Sequence, residues 1–271
     1  MDYLNTLNDE QKKAVMHLDG PCLVLAGAGS GKTRVLTTRI AYLIDNGIPS
    51  YNILAITFTN KAAKEMKERV QALVPDNYAF VGTFHSLGVR ILRENCSECN
   101  LSPNFTILDS DDVLSLIKRI MKNKEIDPKQ LAPSYVRNRI SFIKNENLSQ
   151  REMDNIFNTP VEKQILEIYE TYQELIHKNN SVDFDDLLVL PVELFKKYPE
   201  ILDKYQEHFK YILVDEYQDT NEVQYQFNKL LASKYRNLFV VGDANQSIYG
   251  FRNANFRNIL NFEKDYKDAY V

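Results

Sequence analysis

The segment Gly27–Thr33 constrains the fold of this chain more than any other part of the sequence. It reads Gly-Ala-Gly-Ser-Gly-Lys-Thr, follows the apolar run Cys22–Leu25 and precedes the apolar-rich residues Arg34–Leu36. This order is typical of a strand, a tight loop and a helix. Glycines let such a loop aim several backbone N–H groups at an anion, and the positive end of the helix faces the same point. The segment therefore predicts a phosphate-binding loop between a strand and a helix.

A loop of this kind predicts a bound nucleoside triphosphate with magnesium. Lys32 is expected to reach the β- and γ-phosphates, and the Thr33 hydroxyl is expected to ligate Mg²⁺. Ala26 stands where the strict G-x-x-x-x-G-K-[ST] pattern begins with glycine. Alanine adds only a methyl group, which is the smallest possible departure from glycine. The Lys-Thr pair argues against an ordinary glycine-rich turn. The expected nucleotide-binding residues here are Ala26, Gly27, Ala28, Gly29, Ser30, Gly31, Lys32, Thr33 and Arg34.

Composition narrows the class of protein. The chain has 271 residues, of which 44% are hydrophobic and 26% charged, the balance of a soluble globular protein. The sequence has neither a long apolar span nor a signal pattern at its start, and its three cysteines exclude a disulfide framework, so a cytoplasmic location is expected. The net charge of −4 argues against binding of nucleic acid by bulk positive charge. It leaves open whether the basic residues of 61–69 and 118–124 form a groove or solvated helix faces.

Four short apolar runs end abruptly in polar residues, which indicates a parallel sheet. They are Leu23–Leu25, Ile53–Ile56, Ile212–Val214 and Phe239–Val241. Strands covered on both faces give such runs, and ligands collect outside their carboxyl ends, so the polar clusters are expected at one edge. The core is therefore predicted to be α/β.

Residues 92–190 have helical periodicity and almost no strand signal. One apolar stripe contains Val113, Leu114, Ile117, Ile120 and Met121, and a second contains Ile165, Ile168, Tyr169, Tyr172, Leu175 and Ile176. The simplest division of the chain has residues 1–91 and 191–271 forming the α/β domain and residues 92–190 forming an inserted helical subdomain.

Asp215 and Glu216 follow the run Tyr211–Val214 directly. If this strand lies beside the phosphate loop, the two carboxylates divide the work, because successive residues leaving a strand point in different directions. Asp215 is expected to bind Mg²⁺, and Glu216 to orient and deprotonate the attacking water.

Together these segments carry a family resemblance over nearly the whole chain. The chain resembles the first RecA-like domain of superfamily 1 DNA helicases of the UvrD, Rep and PcrA type. The resemblance implies a RecA-like P-loop NTPase sheet with an inserted helical subdomain, together with ATP and Mg²⁺ as cofactors. Its ordered matches are Leu7–Gln11, Ala26–Thr33, Thr57–Ala63, Thr83–Ser86, Asp183–Leu188, Asp215–Asn221 and Gly242–Tyr249.

The resemblance implies further roles for single residues. Gln11 is expected to read adenine through its amide, and Gln246 to contact the γ-phosphate and the attacking water. Flat side chains near the strand ends are expected to stack on single-stranded DNA, although Phe251 stands where close relatives have tryptophan. Core packing is the alternative for these aromatics. The expected DNA-binding residues are Phe58, Thr59, Asn60, Thr83, His85, Tyr249, Phe251 and Arg252.

Three hypotheses about function stay open at this point. The first is the N-terminal motor of a 3′-to-5′ DNA helicase that acts on single strands and duplex junctions in repair or replication. The second is the motor of a helicase-nuclease, and the third is a nucleotide-gated DNA-binding module. Asp183, Asp185 and Asp186 could suggest a nuclease metal site, but the resemblance favours a helix-start segment that lines the DNA groove or packs the inserted domain. The chain ends before any match to a second RecA-like domain with its arginine finger, so it is expected to be a fragment that hydrolyses ATP weakly.

Overall fold

A computed structural model of the chain describes residues 2–27, 29–243 and 253–271, and the side chains of all of these except 253–256. The described strands are β1 (Cys22–Ala26), β2 (Ile53–Thr57), β3 (Phe80–Thr83), β4 (Thr106–Ile107), β5 (Ser181–Val182), β6 (Tyr211–Val214) and β7 (Leu238–Asp243).

The described α-helices alternate with these strands. They are α1 (Asp9–Met16), α2 (Lys32–Asp45), α3 (Asn60–Leu73), α4 (Phe84–Glu94), α5 (Ser110–Asn123), α6 (Pro133–Asn145), α7 (Gln150–Ile156), α8 (Pro160–Lys178), α9 (Asp186–Lys197), α10 (Pro199–His208), α11 (Glu222–Ala232) and α12 (Asn253–Asp265). Within the described ranges, no helix is both long and apolar enough to cross a membrane.

The chain divides into two compact units. The first contains Met1–Leu87, Tyr198–Thr220 and Asn228–Val271, and the second contains Gly88–Lys197 and Asn221–Phe227. The assignment of residues 92–190 to an inserted subdomain stays a prediction.

A five-stranded parallel sheet forms the centre of the first unit. Its strand order is β1-β7-β6-β2-β3, and every neighbouring pair is parallel. Ala26 at the end of β1 is in register with Asp243 at the end of β7, and Val214 at the end of β6 pairs with Val240. The α/β fold with a parallel sheet is thereby confirmed. The strand β3 was not predicted, because Phe80–Thr83 lacks the run of branched apolar residues that marks the other four.

Buried side chains attach the helices to this sheet. The core includes Val15 of α1, Ile40 of α2, Met66 of α3, Leu213 of β6 and Phe239 of β7. The helix α3 begins at Asn60, and Thr59 caps it by accepting a hydrogen bond from the Ala62 N–H at 3.1 Å.

A buried arginine joins the C-terminus of α1 to α2. Arg39 is 1% exposed and donates hydrogen bonds to the carbonyl oxygens of Val15, His17 and Leu18. These carbonyls lie at the end of α1, where the helix leaves its acceptors without partners. The guanidinium also lies 4.3 Å from the centre of the Phe239 ring, and burial lowers the pKa of Arg39 to about 10. Arg39 therefore fixes α1 against the helix that follows the phosphate loop.

Helices dominate the second unit, as the periodicity predicted. Its core is formed by α5, α6 and α8, and both predicted stripes contribute to it. Leu116 is buried there, whereas the predicted Leu114 is only partly buried. The unit also contains a two-stranded parallel sheet of β4 and β5, which the sequence did not predict because strands of two residues give no periodic signal.

Candidate nucleotide-binding site

The polar segments that follow the parallel strands meet at one edge of the sheet. The phosphate loop follows β1, Asp215 and Glu216 follow β6, and Asp243 is the last residue of β7. Because β7 lies between β1 and β6, both acidic segments are neighbours of the loop. The Asp215 N–H donates to the Ile56 carbonyl oxygen at 3.0 Å, so the segment stays attached to β2 as well.

The described part of the phosphate loop has the backbone that its glycines permit. Gly29 and Gly31 have φ values of +75° and +78°, in the left-handed region that a Cβ atom disfavours. Ser30 turns back on the loop and donates from both its N–H and its hydroxyl to the Gly27 carbonyl oxygen, at 3.2 and 2.5 Å. Gly31 precedes the first residue of α2, so the N–H groups at the start of this helix face the loop. The predicted Ala28 lies outside the described residues.

Gln11 connects α1 to this loop. Its Oε1 accepts a hydrogen bond from the Asn8 N–H at 2.9 Å, and its Nε2 donates to the Ser30 carbonyl oxygen at 2.8 Å. A Cβ atom on Gly31 would lie 3.0 Å from Gln11 Nε2, so the contact is tight. The exposed Arg34 lies nearby and donates to the Thr6 carbonyl oxygen at 3.4 Å. The amide that is expected to read adenine is thus held beside the loop.

Lys32 belongs to a closed ring of four residues at the sheet edge. Its Nζ atom lies 3.7 Å from Asp243 Oδ2 and 3.9 Å from Glu216 Oε1. Gln218 completes the ring, because its Nε2 donates to Glu216 Oε2 at 2.6 Å and its Oε1 accepts from the Asp243 N–H at 3.0 Å. Three members of the ring are shielded from solvent. The side chains of Lys32 and Asp243 are 17% and 10% exposed, and the whole Gln218 residue is 1% exposed. The ring brings the predicted residues Lys32 and Glu216 together.

Asp215 and Glu216 have different surroundings. Asp215 is 9% exposed, and burial, reinforced by the charge of Glu216, raises the pKa of its carboxyl group to about 6. Its Oδ1 accepts a hydrogen bond from the Glu216 N–H at 2.8 Å. Glu216 itself has φ +48°, a left-handed conformation that is uncommon for a residue with a side chain and that clusters at functional sites.

Sequence reasoning missed three residues that support these carboxylates. Asp243 and Gln218 were assigned no role, and Asn258 was not considered. The Asn258 side chain donates to the carbonyl oxygens of Gln218 and Thr220 at 3.1 and 2.5 Å, which fixes the turn after Glu216. Asp243 ends an apolar strand just as Asp215 does, and that signal could have identified it.

Predicted DNA-binding residues lie after the ends of β2 and β3. Phe58 is partly buried and contacts the Phe84 ring edge to face, with 5.4 Å between the ring centres. Asn60 is exposed, while the Thr83 hydroxyl is buried and accepts a hydrogen bond from the Ser86 N–H at 3.1 Å. The partly buried His85 follows Thr83, and burial lowers its pKa. The predicted residues Gln246, Tyr249, Phe251 and Arg252 lie outside the described residues.

The three aspartates that suggested a second metal site lie in the second unit. Asp183 and Asp186 are buried and form ion pairs with the buried Lys144, at 2.6 and 3.0 Å. The two carboxylates also accept hydrogen bonds from each other's N–H groups, at 2.9 and 3.0 Å, which caps the start of α9. Over the described ranges, no group of three or more His, Cys, Asp or Glu side chains is arranged to hold a metal ion. The contacts fit a helix start held by a buried lysine.

Comparison with known proteins assigns the chain to a family. Residues 7–267 match the family described as UvrD/REP helicase N-terminal domain. The protein named ATP-dependent DNA helicase PcrA from Staphylococcus aureus is 51% identical over 269 residues, which cover 98% of this chain and 37% of the relative. Proteins of the same name from Leuconostoc citreum and Staphylococcus epidermidis are 48% and 49% identical. The chain thus spans about 37% of the length of the curated relatives that it matches. Because of this family match and this similarity to the PcrA proteins, this chain belongs to the family of UvrD/REP helicase N-terminal domains.

Proposed function

We propose that this chain is the N-terminal, ATP-hydrolysing motor portion of a 3′-to-5′ DNA helicase that moves along single-stranded DNA and acts at duplex junctions. The observation that carries the proposal is the ion pairing of Lys32 with Glu216 and Asp243 beside the phosphate loop. A lysine, a candidate base and a phosphate loop at one sheet edge are the parts that phosphoryl transfer requires. The names of the PcrA relatives support the assignment to DNA and ATP.

The triphosphate is proposed to replace the protein's own carboxylates as the partner of Lys32. The loop N–H groups and the start of α2 bind the phosphates, and the Lys32 ammonium moves from Asp243 to the β- and γ-phosphate oxygens. Gln11, already held beside the loop, contacts the adenine. Binding therefore exchanges one ion pair for another, which keeps the lysine charge neutralised throughout.

The oxygen ligands available at the sheet edge fit a magnesium ion. Mg²⁺ prefers oxygen ligands, and the Thr33 hydroxyl and the Asp215 carboxylate would hold it. The raised pKa of the buried Asp215 indicates that a nearby cation is favourable there, because its negative charge lacks sufficient compensation. When bound, Mg²⁺ neutralises charge that develops on the phosphates.

Glu216 is proposed to take a proton from the attacking water. Its carboxylate is half-exposed beside the shielded Asp215, so it is accessible to a water molecule. Gln246 is proposed to contact the same water and the γ-phosphate. Phe58, Thr59, Asn60, Thr83 and His85, with Tyr249, Phe251 and Arg252, are proposed to bind the DNA strand, where stacking accepts any base.

The cellular setting is also a proposal. Free cysteines at Cys22, Cys96 and Cys99 suit a reducing compartment, so we propose a location in the cytoplasm. We also propose that the protein acts in DNA repair or replication. Cell fractionation tests the location, and recovery of the protein outside the cytoplasm would contradict it. The alternative of a helicase-nuclease motor needs a nuclease site, and Asp183 and Asp186 do not supply one, because both carboxylates pair with Lys144.

Phosphate release with and without single-stranded DNA separates the motor from the binding module. We expect slow ATP turnover by this chain, and faster turnover that DNA stimulates in a chain of the full length of its relatives. A nucleotide-gated binding module would bind ATP and DNA without turnover in either form. Absence of nucleotide binding by the wild-type chain would contradict both.

A further inference from the structure

Gln218 is the one member of the four-residue ring without a charge. Its side-chain amide spans the gap between two strand ends, since Nε2 donates to Glu216 after β6 and Oε1 accepts from Asp243 at the end of β7. The residue is 1% exposed, and its own carbonyl oxygen is held by Asn258 at 3.1 Å. Burial and the hydrogen bond from Asn258 therefore set the position of Gln218 independently of Glu216 and Asp243.

The contacts of Glu216 differ in strength. The hydrogen bond from Gln218 to Glu216 Oε2 is 2.6 Å long, whereas Lys32 Nζ lies 3.9 Å from Glu216 Oε1, beyond hydrogen-bond distance. Lys32 is also the residue that a triphosphate would draw away. Once it has moved, the amide of Gln218 still holds the carboxylate, and the uncommon backbone conformation of Glu216 alone does not fix its side chain.

We propose that Gln218 is a positioning residue, which holds the Glu216 carboxylate toward the attacking water after Lys32 has moved to the phosphates. This inference rests on the proposed function of Glu216 as the base. A neutral amide suits the role because it donates to the carboxylate without forming a competing ion pair. Its second bond, to the Asp243 N–H, prevents the amide from rotating and presenting its oxygen to Glu216.

The test compares Gln218→Met with a matched control in the same unit. Methionine has a similar length but can neither donate nor accept strong hydrogen bonds, so it removes both bonds and retains most of the volume. Gln206 is a suitable control, because it is 7% exposed and its Nε2 donates to the Leu230 carbonyl oxygen at 2.9 Å and to the Ser233 hydroxyl at 2.8 Å. Gln206→Met thus removes two part-buried hydrogen bonds away from the ring.

Two quantities are measured for each variant. Single-turnover hydrolysis of γ-labelled ATP, with the chain in excess, detects even slow chemistry, and a fluorescent ATP analogue reports the dissociation constant. For Gln218→Met we expect a hydrolysis rate lower by about 10- to 100-fold, the range for a small misplacement of a reacting group. Its nucleotide dissociation constant should change by less than about threefold, which is under 0.7 kcal/mol. Gln206→Met should leave both quantities at the wild-type value.

A third variant separates orientation from packing. Gln218→Glu keeps the acceptor for the Asp243 N–H but places a second carboxylate against Glu216, so its hydrolysis rate should fall at least as far as that of Gln218→Met. Equal rates in wild type and Gln218→Met would overturn the inference, as would a parallel loss of nucleotide binding and hydrolysis, which indicates a merely structural role. A wild-type chain that binds nucleotide without hydrolysing it would contradict the proposed motor function and, with it, this inference. If the wild-type chain fails to bind nucleotide, the proposed function itself fails.

Discussion

The Lys32 ammonium nitrogen lies 3.7 Å from an Asp243 carboxylate oxygen, beside the end of β7. The two residues are far apart in sequence, and the parallel pairing of β1 with β7 brings their segments together. The lysine expected to bind phosphate therefore has two protein carboxylates as its partners at the sheet edge.

Replacing Lys32 by alanine should abolish nucleotide binding and turnover. The substitution removes the cation that we propose moves from Asp243 and Glu216 to the phosphates, while the core of the unit does not include Lys32. Nucleotide titration and circular dichroism measure the two effects, and the folded spectrum should be retained. Lys234→Ala is the control, because this lysine also forms an ion pair, 2.6 Å from Asp203, but away from the loop. Normal turnover in Lys32→Ala would mean that the site is assigned wrongly.

Gly31→Ala should weaken nucleotide binding beyond its effect on stability. The new methyl group would lie 3.0 Å from Gln11 Nε2, at a residue with φ +78°. Gly47→Ala is the matched control, since Gly47 has φ +89° and open space around its Cβ position. Both variants should lose about 1–2 kcal/mol of unfolding free energy from the left-handed backbone. Only Gly31→Ala should also raise the nucleotide dissociation constant, by about tenfold or more, and equal affinities would contradict the contact between Gln11 and the loop.

Phe58→Leu should weaken the binding of single-stranded DNA. Leucine retains apolar packing against Phe84 but cannot stack on a base, so the loss should be about 1–3 kcal/mol, or about 5- to 150-fold in affinity. Fluorescence anisotropy of a labelled oligothymidine measures it at one ionic strength, because phosphate contacts make the affinity depend on salt. Tyr78→Leu removes an aromatic ring that is 79% exposed and should have no effect. Equal losses in both variants would argue against a stacking role for Phe58.

Asp185→Asn should stabilise the second unit at neutral pH. Burial and the charge of Asp183 raise the pKa of the Asp185 carboxyl group to about 6, from about 3.9 in an unfolded chain. The folded chain therefore binds more protons between about pH 4 and 6, so this contribution to stability is complete below about pH 4 and is lost as the pH rises through 6. Asparagine does not ionise, so the variant does not lose stability in this pH range.

Urea denaturation at several pH values measures the difference. At about pH 7.5, Asp185→Asn should be more stable than wild type by about 1–2 kcal/mol, and near pH 4 the two should be equal. Asp154→Asn, at an exposed position of the same unit, is the control for removing one carboxylate and should not reproduce the gain at about pH 7.5. A gain that is the same at every pH would contradict burial of the Asp185 charge as its cause.

The sequence predicted the sheet edge well because its signals are local. Runs such as Ile212–Val214 and Phe239–Val241 are apolar on both faces, and the phosphate loop follows β1 directly. The strands β4 and β5 were missed because two residues carry too little pattern, and β3 was missed because Phe80–Thr83 lacks a run of branched apolar residues. In the second unit the two stripes were found since helical periodicity extends over many residues.

The ring around Lys32 could not be predicted in the same way. It depends on which strands are neighbours, and a sequence pattern does not state that β7 lies between β1 and β6. Gln218 looks like an ordinary turn residue until Glu216 and Asp243 are placed on either side of it. Lys144 is a similar case. The helical periodicity of its segment does not indicate that two aspartates compensate the buried charge of this lysine.

The position of a bound metal tests the central claim most directly. Crystals of the chain with Mn²⁺ in place of Mg²⁺ and a non-hydrolysable ATP analogue would locate the ion by its anomalous scattering. We predict one peak at the edge where β1, β7 and β6 end, bound by the Thr33 hydroxyl and the Asp215 carboxylate, with Lys32 moved from Asp243 to the phosphates. A peak at Asp183 and Asp186, or a nucleotide bound away from the loop while Lys32 still pairs with Asp243, would contradict the account.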